Sequence, residues 1–163
     1  RSYAKEQKLK KSPLSVNEVV TEAVKDFTST LQDYPLQIEF EEDPRSPICS
    51  LAPLEFELAV FNLLKNAKEA LKAQKADEPK VFIKISSGET HCFVDISDNG
   101  AVISDSDFER MGSVFKSGKA SGLGIGLSIV RSIVQNHNGS LVLERGKNGG
   151  LVCRIRLPIL NAQ

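Results

Sequence analysis

The stretch KASGLGIGLSIV, residues 119–130, sets Gly122, Gly124 and Gly126 at alternate positions, with Leu123, Ile125 and Leu127 between them, where a helix is due to begin. Glycine costs a helix about 1 kcal/mol relative to alanine, so three of them there need a reason. Without side chains they let successive backbone N–H groups close on an anion, and a helix N-terminus adds a favourable dipole. A phosphate chain is the guest such a feature suits. The spacing is GxGxG, however, which is neither the GxGxxG of a dinucleotide fold nor the GK[ST] ending of a P-loop. Close helix packing also recruits glycine, and this stretch alone leaves both readings open.

A second stretch, FNLLKNAKEAL at residues 61–71, places Asn62 and Asn66 one helical turn apart on a strip beside an apolar face. Asparagine is a middling helix former and wants partners when set among leucines. Its carboxamide oxygen is a hard, neutral ligand, suited to magnesium that already carries phosphates and water. The plainer alternative is an amide bonded to neighbouring backbone or solvent. A third stretch, VDISDNGAVIS at residues 94–104, ends a strand on Asp98 and follows it with an Asn-Gly turn that has no returning strand. An aspartate held there beside apolar residues can accept a hydrogen bond from an amine, and adenine offers one.

Positioning these groups requires a core, and 163 residues with 40% hydrophobic content suffice for one domain. Lys plus Arg and Asp plus Glu both count 21, so no global field recruits nucleic acid or an acidic membrane, and an anion must be held locally. Cys49, Cys92 and Cys153 are far apart, without CxxC spacing, in apolar strand-like surroundings, and read as buried reduced thiols. No apolar run approaches the ~18 residues of a membrane span, and no signal peptide opens the chain.

The opening RSYAKEQKLKK is charged and nearly devoid of apolar surface; it reads as a linker or solvated helix end rather than a nucleic-acid or lipid-binding arm. From Ser15, a capping box with Glu18 starts an amphipathic helix that buries Val16, Val19, Val20, Ala23, Val24 and Phe27. Leu36, Ile38 and Phe40 alternate as a strand, a short ICS segment follows, and Pro53 opens a second helix to Gln74 with Phe56, Val60, Leu63, Leu64, Ala67 and Leu71 on its core face. Residues 80–97 read as a hairpin. Residues 98–119 read as a loop with one short helical turn. A third helix runs from Gly124 to Asn136, burying Ile129, Val130, Ile133 and Val134, and SLVLER and LVCRIRLP close the chain as a hairpin across GKNGG. This order suits an α+β sandwich, with helices on one face of a mixed, mostly antiparallel sheet. His91 lies in a strand and His137 in the turn after the third helix, and both read as structural.

Together and in this order, the three stretches resemble the ATP-binding domain of bacterial sensor histidine kinases, a fold shared with gyrase and mismatch-repair ATPases. FNLLKNAKEAL is similar to the asparagine box, SDNGAVIS to the first glycine box, and MGSVFKSGKASGLGIGLSIV to the phenylalanine box running into the second glycine box. The resemblance covers residues 14–160. It implies a two-layer Bergerat-type sandwich, with residues 1–13 ending a preceding helical hairpin or forming a linker, residues 14–163 forming the catalytic domain, and a short mobile lid at 104–121. The ligands implied are ATP and Mg: Asn66 on the cation, Asn62 beside the phosphates, Asp98 on the adenine amine, and Gly100 allowing the base close approach. Val102 and Ile103 continue that box, Phe115 anchors the lid, Lys119 reaches the phosphates, and Gly122, Leu123, Gly124, Ile125, Gly126 and Leu127 form the loop and helix start over them. Glu69, one turn after Asn66, is placed to orient groups at the γ-phosphate or to pair with Lys65. Lid length and the continuation Asn66 to Ala70 resemble nitrogen- and oxygen-sensing kinases.

Two departures stand out. The family's D-x-G-x-G carries Val102 where its second glycine belongs, which would narrow the base pocket or stiffen the turn, and Gly112 replaces the first aromatic of the phenylalanine box. Hydrolytic members of the superfamily carry a glutamate four residues before the magnesium asparagine, whereas this chain has Asn62, which takes no proton at neutral pH. Transfer is therefore expected over hydrolysis, to a histidine on an upstream helical hairpin of a homodimer and onward to a response regulator. The chain alone is expected to be inactive in autophosphorylation. It is expected in the cytoplasm, including as the cytoplasmic part of a membrane-anchored sensor, without contact to membrane or nucleic acid. The alternatives are a nucleotide-sensing or nucleotide-silent interaction module whose pocket Val102 has closed, and a serine kinase of the anti-sigma type.

Overall fold

The computed structural model describes residues 10–117 and 124–160. In chain order the elements are β1 (Ser12–Ser15), α1 (Val16–Thr28), β2 (Gln37–Glu41), β3 (Ile48–Leu51), α2 (Pro53–Ala73), β4 (Lys80–Ser87), β5 (His91–Asp98), α3 (Asp105–Ser117), α4 (Gly124–Asn136), β6 (Ser140–Arg145) and β7 (Leu151–Pro158). The main sheet runs β2-β4-β5-β7-β6. The β2/β4 pair is parallel and the other pairs are antiparallel, and the β4/β5 register sets Ile83 opposite Ile96 and Ile85 opposite Val94, keeping the alternating apolar residues on one face. Val81, Ile83, Ile85, Cys92, Val94 and Ile96 are buried, and with Cys153, Ile155 and Leu157 of β7 they form the sheet's half of the core.

The helical half is built by periodicity. Ser15 caps α1 by accepting the Glu18 N–H at 3.4 Å, and Val16, Val19, Val20, Ala23 and Phe27 are buried behind it, with Val24 packed at the margin. Phe27 meets Phe61 of α2 edge to face at 5.5 Å. Pro53 sits in the first turn of α2, where a missing N–H removes no helical bond. Phe56, Ala59, Val60, Leu63, Leu64, Ala67 and Leu71 then line its core face. In α4, Leu127, Val130, Ile133 and Val134 are buried, but Ile129 is 39% exposed, contrary to the expectation from spacing. It stands one residue off the buried stripe, on the helix's outer shoulder.

Two elements differ from the sequence reading. β1 was not anticipated. It pairs antiparallel with β3, Ser12 opposite Leu51 and Ser15 opposite Ile48, across the boundary drawn after residue 13 between linker and domain. Pro13 is tolerated there because this two-stranded sheet consists of edges. Residues 105–117, expected to be mostly loop, form a 13-residue helix. Its start is capped: Ser104 Oγ accepts the Asp107 N–H at 3.1 Å, and Asp105 and Asp107 sit in the first turn, where the helix dipole favours them. Arg145 of β6 fixes that end, donating to the Ile103 carbonyl at 3.1 Å and to Asp105 at 2.6 Å, with its guanidinium 5.2 Å from the Phe108 ring centroid. Among the described residues no helix is long and apolar enough to cross a membrane.

Candidate functional site

α2, α4 and the C-terminal end of β5 enclose a cavity lined by Leu63, Asn66, Gln74, Asp98, Ile103 and Met111, among others. α2 carries Asn66 at one end of it and Gln74 toward the other, where β5 brings Asp98. From Asn66 to Gln74 is eight residues, or about 12 Å along an α-helix, with small Ala67 and Ala70 between them on the cavity wall. Ile96, Leu127, Leu151 and Cys153 complete an apolar lining. Burial pushes the Cys153 thiol up to about 12, so it lines the wall as a neutral group. The three cysteines are free and buried, as expected.

At one end stands Asn66. Its Nδ2 is buried without a hydrogen-bond partner; Tyr34 Oη shares that condition among the described residues, but of the two only Asn66 lines the cavity. Gly126 of α4 lies against it: a Cβ at that position would come within 3.0 Å of Asn66 Oδ1 and 3.1 Å of Nδ2. The last of the alternating glycines thus clears space for the asparagine amide. Asn62, one turn earlier, does not line the cavity; its Nδ2 donates to the Leu58 carbonyl at 3.0 Å. Glu69 is exposed and does not line the cavity.

At the other end stands Asp98, half-buried. Its Oδ1 accepts the Gly100 N–H at 2.8 Å and its Oδ2 the Leu151 N–H at 3.3 Å. Burial raises its pKa above the ordinary carboxylate value, and the two N–H bonds pull against that rise. Gly100 is buried beside the carboxylate, a Cβ there falling 2.7 Å from Oδ1. Ile103 lines the cavity. Val102 does not: its side chain is 78% exposed, so the valine in the glycine position leaves the pocket open.

Sequence reasoning missed three contributors. GKNGG was read as a plain hairpin turn, yet Gly149 and Gly150, at φ 121° and 77°, pack directly under the Asp98 turn. A Cβ on Gly150 would fall 2.1 Å from the Asp98 carbonyl oxygen, and one on Gly149 2.4 Å from that of Gly100. The Gly150 N–H donates to the Ala101 carbonyl at 2.9 Å. The available signal was the doubled glycine, more than a hairpin turn needs. Gln74 and Met111 gave none, because one reaches the cavity from the C-cap of α2 and the other from a helix whose placement over the cavity is set by distant partners. Of the other expected site residues, Lys119, Gly122 and Leu123 lie outside the described residues, while Phe115, Gly124 and Ile125 are described only as helical positions.

His137 is buried and occupied: its Nδ1–H donates to the Ile133 carbonyl at 2.8 Å and its Nε2 accepts the Ala52 N–H at 3.0 Å. His91 opens β5, seven residues from Asp98, or about 23 Å along a strand, and its Nδ1 lies 2.8 Å from Thr90 Oγ1. Neither histidine belongs to the cavity.

An open sandwich with this cavity between a helix asparagine and a strand-end aspartate is the architecture of a nucleotide-binding ATPase domain. Residues 52–161 match the family described as histidine kinase-, DNA gyrase B- and HSP90-like ATPases, and the chain belongs to that family. ATP is the ligand that defines it. Among curated proteins the chain is similar to the sensor protein FixL of Bradyrhizobium diazoefficiens, 28% identical over 144 residues, covering 88% of this chain and 28% of that protein. It is also similar to the sensor protein TdiS of Thauera aromatica, 26% identical, covering 91% of this chain and 28% of that protein. Sporulation kinase B of Bacillus subtilis is 26% identical, covering 95% of this chain and 35% of the kinase. The chain thus spans about a third or less of these relatives. Among solved structures, the catalytic domain of the histidine kinase ThkA superposes with a TM-score of 0.75 at 24% identity, covering 91% of this chain and 95% of that one. ThkA in complex with the response regulator protein TrrA gives 0.75 at 23% identity, covering 92% of this chain and 42% of that one. These likenesses establish the fold.

Proposed function

We propose that this chain is the catalytic ATP-binding domain of a two-component sensor histidine kinase, which hands the γ-phosphate of Mg·ATP to a histidine on an upstream dimerisation hairpin. The phosphoryl group then passes to a response regulator. The observation that carries the reading is that Asn66 of α2 and Asp98 of β5 line one largely apolar cavity, with Gln74, about 12 Å along α2 from Asn66, beside the Asp98 turn. That span gives a base a carboxylate at one end and a phosphate chain a helix start at the other.

Mg fits the residues present. Asn66 lines the cavity, where its carboxamide oxygen is a hard, neutral ligand suited to a cation already carried by phosphates and its unpartnered Nδ2 is a donor left for a phosphate oxygen. Among the described residues no group of three or more His, Cys, Asp or Glu could hold a metal by itself. When bound, the cation neutralises charge on the β- and γ-oxygens. The chain's own contribution is positioning: Asp98 accepts from the base amine, Ile103, Met111 and Leu151 exclude water from its ring, and the N-terminus of α4 faces the phosphates. Phosphoryl transfer depends chiefly on such placement and charge stabilisation. Asn62 has its Nδ2 committed to Leu58 and carries no carboxylate, so this position supplies no base to activate water, and transfer is favoured over hydrolysis. The outward Val102 argues against a closed, nucleotide-silent module.

The test is calorimetry with Mg·ADP, then phosphotransfer in trans. Micromolar binding, with acid-labile label appearing on an added histidine-bearing hairpin but not on this chain alone, supports the proposal. No binding at millimolar nucleotide, or stable phosphohistidine on the chain itself, overturns it.

A further inference from the structure

Gln74 caps the C-terminus of α2, and its side chain lines the cavity. Its Oε1 accepts the Ala101 N–H at 2.8 Å. Because that partner is a backbone donor, the amide has one permitted orientation, and Nε2 is left with two N–H groups to give. The Gln74 carboxamide and Asp98 Oδ1 meet one point beside Gly100: the position a Cβ would take there is 2.7 Å from Asp98 Oδ1, 2.9 Å from Gln74 Oε1, which the Ala101 N–H occupies, and 3.2 Å from Nε2. Asp98 retains lone pairs beyond the two N–H bonds it accepts. The base end of the cavity therefore offers an acceptor and a donor side by side, both held by the Asp98 to Ala101 turn.

That pair complements one edge of a 6-aminopurine, whose exocyclic amine is a donor and whose adjacent ring nitrogen N1 is an acceptor. A 6-oxopurine presents the reverse, an oxygen acceptor beside an N1–H donor, and would set acceptor against acceptor and donor against donor. Sites built to hydrogen-bond a group reject analogues that leave their polar atoms unpaired. We propose that Gln74 is a base-specificity residue: its carboxamide N–H donates to N1 of the adenine while Asp98 takes the amine. The inference rests on the reading of the cavity as a nucleotide site and adds to it a second polar group that senses the ring.

The experiment compares Kd for Mg·ATP and for Mg·1-deaza-ATP, in which N1 is replaced by C–H, on the wild-type chain, Gln74→Ala and Gln74→Glu. Glutamate keeps an acceptor for the Ala101 N–H but brings no donor, so it separates the turn clamp from base sensing. Wild type is expected to prefer ATP by roughly tenfold, the value of one net hydrogen bond, and both variants to lose that preference. An unchanged preference in either variant, or none in wild type, overturns the role of Gln74. If wild type binds neither compound, the nucleotide reading falls and this inference falls with it.

Discussion

Asn66 on α2 and Gly126 on α4 face each other so closely that a methyl group on the glycine would come within 3.0 Å of the asparagine amide. Alanine at 126 normally favours a helix by about 1 kcal/mol. Here the Cβ would press on Asn66 and turn its amide from the cavity. Gly126→Ala is expected to leave the melting temperature unchanged or raised while weakening Mg·ATP binding at least tenfold. Calorimetric titration beside a thermal melt separates the two, and a stable variant with wild-type affinity would show that Gly126 serves helix packing alone.

Asp98 splits binding from stability in the same way. Burial raises its pKa, so its ionised form is the one disfavoured by folding. A raised native pKa means the native state binds more protons than the unfolded one, and its contribution to stability falls as pH rises through that pKa. Asp98→Asn keeps an oxygen for the Gly100 N–H and removes the buried charge, but sets its Nδ2 against the Leu151 N–H. The variant is expected to stay within about 1–2 kcal/mol of wild type at pH 7 in urea titrations, with a flatter stability profile over the acid range, yet to lose ten- to hundredfold in ATP affinity, about the worth of a charged hydrogen bond.

The parts legible in the sequence were those whose period is local. The α2 ridge from Phe56 to Leu71 and the alternation in β4, β5 and β7 each state their buried face within a few residues, and the bounds of α4 follow from Gly124 and the NHNG turn. What escaped depends on partners far along the chain. β1 exists because Ser12–Ser15 finds β3, and α3 is secured by Arg145, 40 residues beyond Asp105. The site was legible at Asn66, Asp98 and Gly126, where residue type is unusual for its element. Gln74, Gly149 and Gly150 were not, because an exposed glutamine and a hairpin glycine are ordinary until the Asp98 turn folds onto them.

His137 ties α4 to the start of α2 and should make stability depend on pH. Both ring nitrogens are used by backbone groups, Nε2 as an acceptor, so the native ring is neutral. Burial lowers its pKa from 6.5. The unfolded state therefore takes up a proton first, and stability is full above the unfolded pKa and declines as pH falls below it. His137→Ala is expected to cost about 2–4 kcal/mol, from a cavity and an unpaired Ala52 N–H, and to remove this decline between pH 7 and 5. Urea midpoints across that range are the check; an unchanged slope in the variant would assign the decline to other groups.

Arg145 holds α3 over the cavity side of the sheet through Ile103, Asp105 and the Phe108 ring. Asp105 is 95% exposed, so the ion pair adds little to global stability, on the order of 0–1 kcal/mol. Its effect is local, because the same guanidinium also holds the carbonyl of Ile103, which lines the pocket. Arg145→Ala should therefore shift the melting temperature by no more than a few degrees while speeding amide hydrogen exchange across residues 105–113 several-fold. Arg145→Lys, which keeps the charge but not the planar guanidinium set against the Phe108 ring, should fall between the two. Equal exchange in all three proteins would mean that Ser104 capping and the packing of Met111 suffice to hold the helix.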